Sequence, residues 1–208
     1  IAAELLVPGF DDPVHDAQRV FRCVLDALAY PGRIVDLAHG PDGPAYGGLA
    51  GLPDSVPRSL AAVLLALTDA DAPVCLLPAD APALAALLRF HAGTPILAQP
   101  EGAAFAAVLD PEFALPLDQF DRGTPDYPDR STTVLVVLPA LEGGPAVQLR
   151  GPGIAETVRI APQGLPAAFW RERAALQIDF PLGVDLILCA GNRLLALART
   201  TQARLEEH

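Results

Sequence analysis

The sequence contains no lysine, so all 14 of its basic residues are arginine. This absence excludes mechanisms that form an imine on a lysine amine, and it excludes phosphate-binding loops that depend on a lysine ammonium. Methionine is also absent.

Cysteine is scarce, and the motifs that usually accompany cysteine or histidine chemistry are missing. Cys23, Cys75 and Cys189 are odd in number, widely spaced and set in apolar segments, which favours buried free thiols over a disulfide or a metal site. The sequence has no GxGxxG, GxSxG or HExxH motif and no CxxC pair. We therefore find no recognisable nucleophile with its base.

Long hydrophobic runs and basic clusters are also missing. The longest apolar stretches, 60–67 and 182–190, are far shorter than the roughly 20 residues that span a bilayer. A net charge of -11 without a basic cluster argues against a nucleic-acid or anionic-membrane partner. Because the N-terminus also lacks a signal-peptide pattern, we expect a cytoplasmic protein in which residues 1–208 form a single α/β domain.

The first helix has the clearest pattern. Asp12 is positioned to cap it and Pro13 lies in its first turn, so capping explains Asp11 and Asp12 better than a metal site shared with His15. Gln18, Arg22 and Asp26 form a polar stripe, which we interpret as solvated, with a docking face as the alternative. The apolar positions predicted to be buried are Val14, Ala17, Phe21, Val24 and Leu28.

Helical and strand patterns then alternate along the chain. Helices are predicted over 58–68, 80–92 and 165–177, and strands over 33–37, 74–77, 95–98, 105–109 and 156–161. The acidic, proline-containing segment 111–130 is predicted to be irregular. This alternation predicts a three-layer α/β/α fold with a mixed sheet.

The segment from Ser131 to Ile154 is predicted to form a central hairpin. Residues 134–138 are apolar throughout, 146–150 alternate apolar and polar, and a glycine-containing turn separates them. The second strand runs into Gly151-Pro152-Gly153, where backbone amides beside Arg150 could hold an anion. The alternative is that this turn only ends a strand.

A second hairpin is predicted near the C-terminus. Asp185 precedes the apolar run 186–190, and Gly191-Asn192 turns the chain into 194–198, which ends at Arg199. A carboxylate beside a buried strand requires a partner, and Arg199 is the natural one. This pairing has two interpretations. It is either an ion pair that secures the end of the sheet or part of a ligand site.

Several separated segments together resemble one family, the H subunit of the bacterial phosphonate carbon-phosphorus lyase system (PhnH). They extend over almost the whole chain in a compatible order. One departure is Ala198, where the family pattern leads us to expect proline. The segments are 18–22 with 25–27 and 31–32, the STT start at 131, LRGPGI at 149–154, FPLGVD at 180–185 and RTT at 199–201.

The resemblance implies a truncated pyridoxal-phosphate-dependent transferase fold without the cofactor, a homodimer, and assembly with the G, I and J subunits of the lyase core complex. It also implies a role in converting alkylphosphonates to phosphate through ribosyl-triphosphate transfer from ATP, with the chemistry attributed to other subunits. The leading hypothesis is thus an accessory subunit without a cofactor of its own. Since catalysis by pyridoxal phosphate begins on a lysine amine, this chain cannot perform it.

The alternative hypothesis is a stand-alone enzyme or binding protein with its own anion site at strand ends, where α/β sheets commonly bind ligands. The residues assigned to this phosphate or phosphonate site are Arg150, Gly151, Gly153, Asp185, Arg199 and Thr200.

Overall fold

The computed structural model describes residues 7–39, 43–110 and 116–206. Within these ranges the chain forms four α-helices, which are α1 Pro13–Ala29, α2 Arg58–Leu67, α3 Pro82–Ala92 and α4 Ala167–Leu176. The strands are β1 Ile34–Asp36, β2 Val74–Leu77, β3 Ile96–Leu97, β4 Phe105–Val108, β5 Thr133–Val137, β6 Val147–Arg150, β7 Val158–Ile160, β8 Asp185–Ala190, β9 Arg193–Leu197 and β10 Gln202–Leu205. Short 3-10 helices cover Leu117–Gln119 and Gln177–Asp179.

Seven strands form a mixed sheet in the order β1-β9-β8-β5-β4-β2-β3. Strands β3, β2, β4, β5 and β8 run parallel to one another, whereas β9 runs antiparallel to both β8 and β1. The remaining strands form a separate antiparallel sheet in the order β10-β6-β7. The predicted mixed sheet with parallel crossovers is therefore confirmed.

The central strands of the large sheet are buried on both faces. In β8, Ile187 and Cys189 join the cluster formed with α1, α2 and α3, whereas Leu186 and Leu188 face the second sheet and α4. This alternation follows from the twofold repeat of a strand, and it explains why β8 carries an unbroken apolar run. Three helices thus cover one face, and a small sheet with α4 covers the other.

The predicted central hairpin is wrong. Strand β5 pairs with β4 and β8, both parallel, while β6 pairs with β7 and β10 in the second sheet. Glycine-rich residues 142–145 therefore carry the chain between sheets instead of turning one strand onto its neighbour. The cause is burial: β5 is apolar on both faces and fits only the centre of the large sheet, whereas β6 buries one face.

The predicted burial of the first helix is partly wrong. Asp12 caps α1 by accepting a hydrogen bond from the His15 amide, as expected. The buried residues, however, are Asp16, Val20, Val24 and Ala27, and of the predicted positions Val14 and Phe21 are 64% and 50% exposed. The helix packs on α2 and β9 through its smaller side chains and leaves larger apolar ones in solvent.

The other predicted elements match closely. The helices over 58–68 and 80–92 and the strand over 74–77 lie where expected, and the hairpin at Gly191-Asn192 joins β8 to β9. Within the predicted irregular segment, 111–115 lies outside the described residues. All three cysteine thiols are free. None of the described helices combines the length and apolarity needed to cross a membrane.

Candidate functional site

The predicted pairing of Asp185 with Arg199 forms the centre of a polar cluster. Oδ2 of Asp185 accepts a hydrogen bond from Nη2 of Arg199 at 2.6 Å, and Oδ1 accepts one from the Arg199 backbone amide at 2.7 Å. The two side chains are only 21% and 18% exposed. Since β8 begins at Asp185 and β9 ends two residues before Arg199, the hairpin register itself brings them together.

The Arg199 guanidinium also reaches the start of β5. It donates to the Ser131 hydroxyl at 2.6 Å and to the Pro128 carbonyl. Together with the Asp185 contacts, these bonds occupy most of the five N–H donors of the group. The Asp185–Arg199 pair therefore ties together the ends of three strands.

This cluster lies at the amino ends of the parallel strands. Thr133 and Asp185 are partners at the first positions of β5 and β8. Ligands in open α/β sheets usually bind outside the carboxyl ends of parallel strands, at the opposite edge. The geometry therefore suits a structural ion pair better than the usual ligand crevice.

A buried arginine in α4, which the sequence patterns did not reveal, supports the same cluster. Arg173 is 3% exposed, and its guanidinium donates to the carbonyls of Val184, Leu197 and Ala198, the last at 2.7 Å. Burial lowers the pKa of Arg173 to about 10, while the charge of Asp185 acts in the opposite direction. The sequence does indicate that Arg173 is buried, because it lies four residues after Phe169, an apolar residue that faces the core, and therefore on the same helix face.

The glycine turn after β6 makes two close backbone approaches. A Cβ on Gly153, where φ is +80°, would lie 2.1 Å from the Ala29 carbonyl oxygen at the end of α1. A Cβ on Gly151 would lie 2.9 Å from the Thr200 carbonyl oxygen. The turn therefore brings Gly151 and Thr200 together, and both glycines pack against protein carbonyls.

Arg150 lies on a different surface from Asp185 and Arg199. It is exposed on the outer face of the second sheet, where it faces Gln202 across the β6–β10 pair, and Gln148 faces Arg204. These four side chains line a small cavity of about 170 Å³. Neither arginine has a hydrogen-bond or ion-pair partner among the described residues.

Helix α1 carries an exposed apolar face. Val14, Phe21 and Leu25 recur at helical spacing and are 50 to 64% exposed, and Tyr30 at the helix end is 53% exposed. Together they are four of the eight exposed large hydrophobic side chains among the described residues. We call Val14, Phe21 and Leu25, which share one face of the helix, the α1 stripe. The described residues contain no cluster of histidine, cysteine, aspartate and glutamate that could hold a metal ion.

Comparison with known proteins agrees with the resemblance seen in the sequence. The family described as "Bacterial phosphonate metabolism protein (PhnH)" matches residues 8–204. The chain is 42% identical, over 95% of both chains, to the alpha-D-ribose 1-methylphosphonate 5-triphosphate synthase subunit PhnH of Rhizobium meliloti (strain 1021). It is 31% identical to HtxG of Stutzerimonas stutzeri, whose name refers to a C-P lyase subunit, over 91% of this chain and 86% of the relative. The chain belongs to the PhnH family of bacterial phosphonate metabolism proteins.

Proposed function

We propose that this chain is a cytoplasmic, single-domain accessory subunit of a carbon-phosphorus lyase core complex. In this role it supports ribosyl-triphosphate transfer from ATP to an alkylphosphonate, forms a homodimer and assembles with the G, I and J subunits. The names of the relatives support membership of such a complex. The observation that carries the assembly role is the α1 stripe.

The α1 stripe leaves apolar surface in contact with water, which is unfavourable unless another protein surface covers it. Phe21 and Leu25 are adjacent on one helix face and at least half exposed. Covering large apolar side chains is favourable because it removes their surface from water, and contiguous exposed apolar surface marks interaction sites. Aromatic anchors, of which Phe21 is one here, also carry much of the binding energy in protein interfaces. We therefore place a subunit contact on this face of α1.

The test is co-expression with the G, I and J subunits followed by purification of the complex and light scattering. Replacing Phe21 and Leu25 together by glutamine should leave the helix folded and remove the chain from the complex or dissociate its homodimer. Ile178→Gln is the control, because Ile178 is 87% exposed and lies in the short 3-10 helix that follows α4. Unchanged assembly in the double variant would refute the contact on α1. Turnover of ATP or an alkylphosphonate by the purified chain alone would refute the accessory role.

A second candidate function is anion binding by the chain itself. Arg150 favours it, since this exposed guanidinium and that of Arg204 have no carboxylate partner among the described residues, and their cavity also holds two glutamine amides. In this proposal Arg150 contacts phosphate or phosphonate. Gly151, Gly153, Asp185, Arg199 and Thr200 shape the neighbouring turns. Arg150→Ala should weaken phosphate binding about tenfold or more, whereas Arg171→Ala on α4 should not.

The truncated pyridoxal-phosphate-dependent transferase fold remains a prediction from the family resemblance. This fold does not imply pyridoxal-phosphate catalysis, because the sequence has no lysine for an internal aldimine. Pyridoxal phosphate added to the protein with a blocked N-terminus should produce no imine absorption band.

A further inference from the structure

A cavity of about 520 Å³ lies between α1 and β1, the edge strand of the large sheet. Its volume falls within the range of about 300 to 1,000 Å³ that is typical of small-molecule sites. Residues 33–36 form one wall, and α1 contributes Arg19, Arg22, Cys23 and Asp26. The cavity is separate from the Asp185–Arg199 pair and from the Arg150 surface.

Three arginines face this cavity in a chain whose net charge is -11. Arg22 makes no hydrogen bond or ion pair with any residue that the structure describes. Arg33 uses one N–H for Asp26 at 3.1 Å, and Arg19 bonds to Asp16 and to the Ala45 carbonyl. Because a guanidinium has five N–H donors, all three retain donors for a ligand. Paired N–H groups of this kind bind phosphate oxygens in a bidentate manner.

The remaining lining is suited to the uncharged part of such a ligand. Ile34, Val35 and Ala45 supply apolar surface, while Asp26 and Asp36 supply carboxylate oxygens that can accept hydrogen bonds from hydroxyl groups. Asp36 also accepts bonds from the Ala38 amide and from His39. Carboxylates beside guanidinium groups repel a bare anion but favour a molecule that carries hydroxyls next to its phosphate.

We propose that the cavity between α1 and β1 binds a sugar phosphate, with Arg22 and Arg33 on the phosphate and the two aspartates on sugar hydroxyls. This assignment explains why Arg22 and Asp26, two of the three residues of the polar stripe identified in the sequence, line a cavity instead of a flat solvated face. It is independent of the assembly role, since the α1 stripe uses other residues of the same helix.

The binding test uses ribose 5-phosphate, ribose and inorganic phosphate, titrated calorimetrically into the full chain at low ionic strength. Ribose 5-phosphate should bind more tightly than inorganic phosphate, and ribose should show no binding. Arg22→Ala and Arg33→Ala should each weaken ribose 5-phosphate binding by about tenfold or more, because a charge-assisted contact is lost. Arg171→Ala is the control for charge, and Arg150→Ala separates this cavity from the second sheet.

Cys23 supplies an independent readout, because its half-buried thiol lines the same cavity. Saturating ribose 5-phosphate should slow alkylation of Cys23 by iodoacetamide several-fold, and this protection should be lost in Arg22→Ala. The proposal is overturned if ribose 5-phosphate does not bind, if neither arginine variant weakens binding, if Arg150→Ala or Arg171→Ala weakens it equally, or if the Cys23 alkylation rate does not change.

Discussion

The ion pair between Asp185 and Arg199 should contribute more to the free energy of unfolding than an ion pair on the protein surface does. The perturbation is a double-mutant cycle of Asp185→Asn, Arg199→Met and the double variant. Asparagine keeps an oxygen that can accept from the Arg199 amide, so Asp185→Asn removes mainly the charge. Methionine retains the aliphatic part of the arginine side chain.

The magnitude follows from burial and distance. The charged atoms lie 2.6 Å apart, and both side chains are about four-fifths buried. Removal of one partner of a buried pair costs about 3 to 5 kcal/mol, because the other charge is left uncompensated. Allowing for the remaining solvent access, we expect about 3 kcal/mol for Asp185→Asn, since Arg173 also loses its compensating charge. The coupling energy between the two sites should be about 1.5 to 3 kcal/mol.

The assay is urea unfolding, which keeps the ionic strength constant. The control cycle uses Glu142→Gln and Arg193→Met, since this pair has a similar distance of 2.8 Å but is 66% and 40% exposed. Its coupling energy should be at most about 0.5 kcal/mol. Addition of 0.5 M salt should reduce the control coupling further and leave the buried coupling nearly unchanged. Additive single-variant costs at Asp185 and Arg199 would refute the reasoning.

Three further predictions concern individual buried groups. Arg173→Met should lower the free energy of unfolding by about 2 to 4 kcal/mol in urea, because three carbonyls lose their donor; an unchanged value would show that the desolvated charge offsets them. Gly153→Ala should cost about 2 to 4 kcal/mol through left-handed strain and contact with the Ala29 carbonyl, whereas Gly93→Ala, with open space around it, should cost only about 1 kcal/mol; equal costs would contradict the packing. Burial raises the pKa of Cys189 to about 12 from 9.0, so the folded chain keeps a proton that the unfolded chain loses, and stability should fall as pH rises from 9 towards 12. The free energy of unfolding should decrease by at most about 1.4 kcal/mol per pH unit over this range, and by less in Cys189→Ala. Identical pH profiles for the variant and the parent chain would contradict the prediction.

The sequence predicted contacts that depend on a short stretch of chain. The turn at Gly191-Asn192 sets the register of β8 and β9, and this register places Asp185 next to Arg199. Helix ends were equally predictable, because Gly93 adopts the left-handed conformation that ends α3. In each case the determining interaction lies within about 15 residues, so no knowledge of the rest of the fold is needed.

Contacts between distant segments were not predictable in the same way. Two neighbouring strand patterns indicate a hairpin, but β5 gains more by pairing on both edges in the large sheet than by pairing with β6. The α1 pattern gave the helix, but which apolar residues face inward depends on how α2 and β9 approach it. Arg173 was missed for the same reason, since its acceptors belong to segments 11 to 25 residues further along the chain.

The position of the Asp185 cluster determines how variants of its residues must be interpreted. Strand β9 ends beside this cluster, and the next strand, β10, lies in the second sheet, where Gln202 faces Arg150. Arg199 therefore fixes the point at which the chain passes from one sheet to the other, and Gly151 packs on the Thr200 carbonyl in the same crossing. A change at Arg199 would shift β10 relative to β6 and so alter the Arg150 surface without any contact between Arg199 and a ligand. Loss of anion binding in an Arg199 variant is thus evidence for a ligand contact only if the Arg173 variant, which disturbs the same crossing from the α4 side, leaves that binding intact.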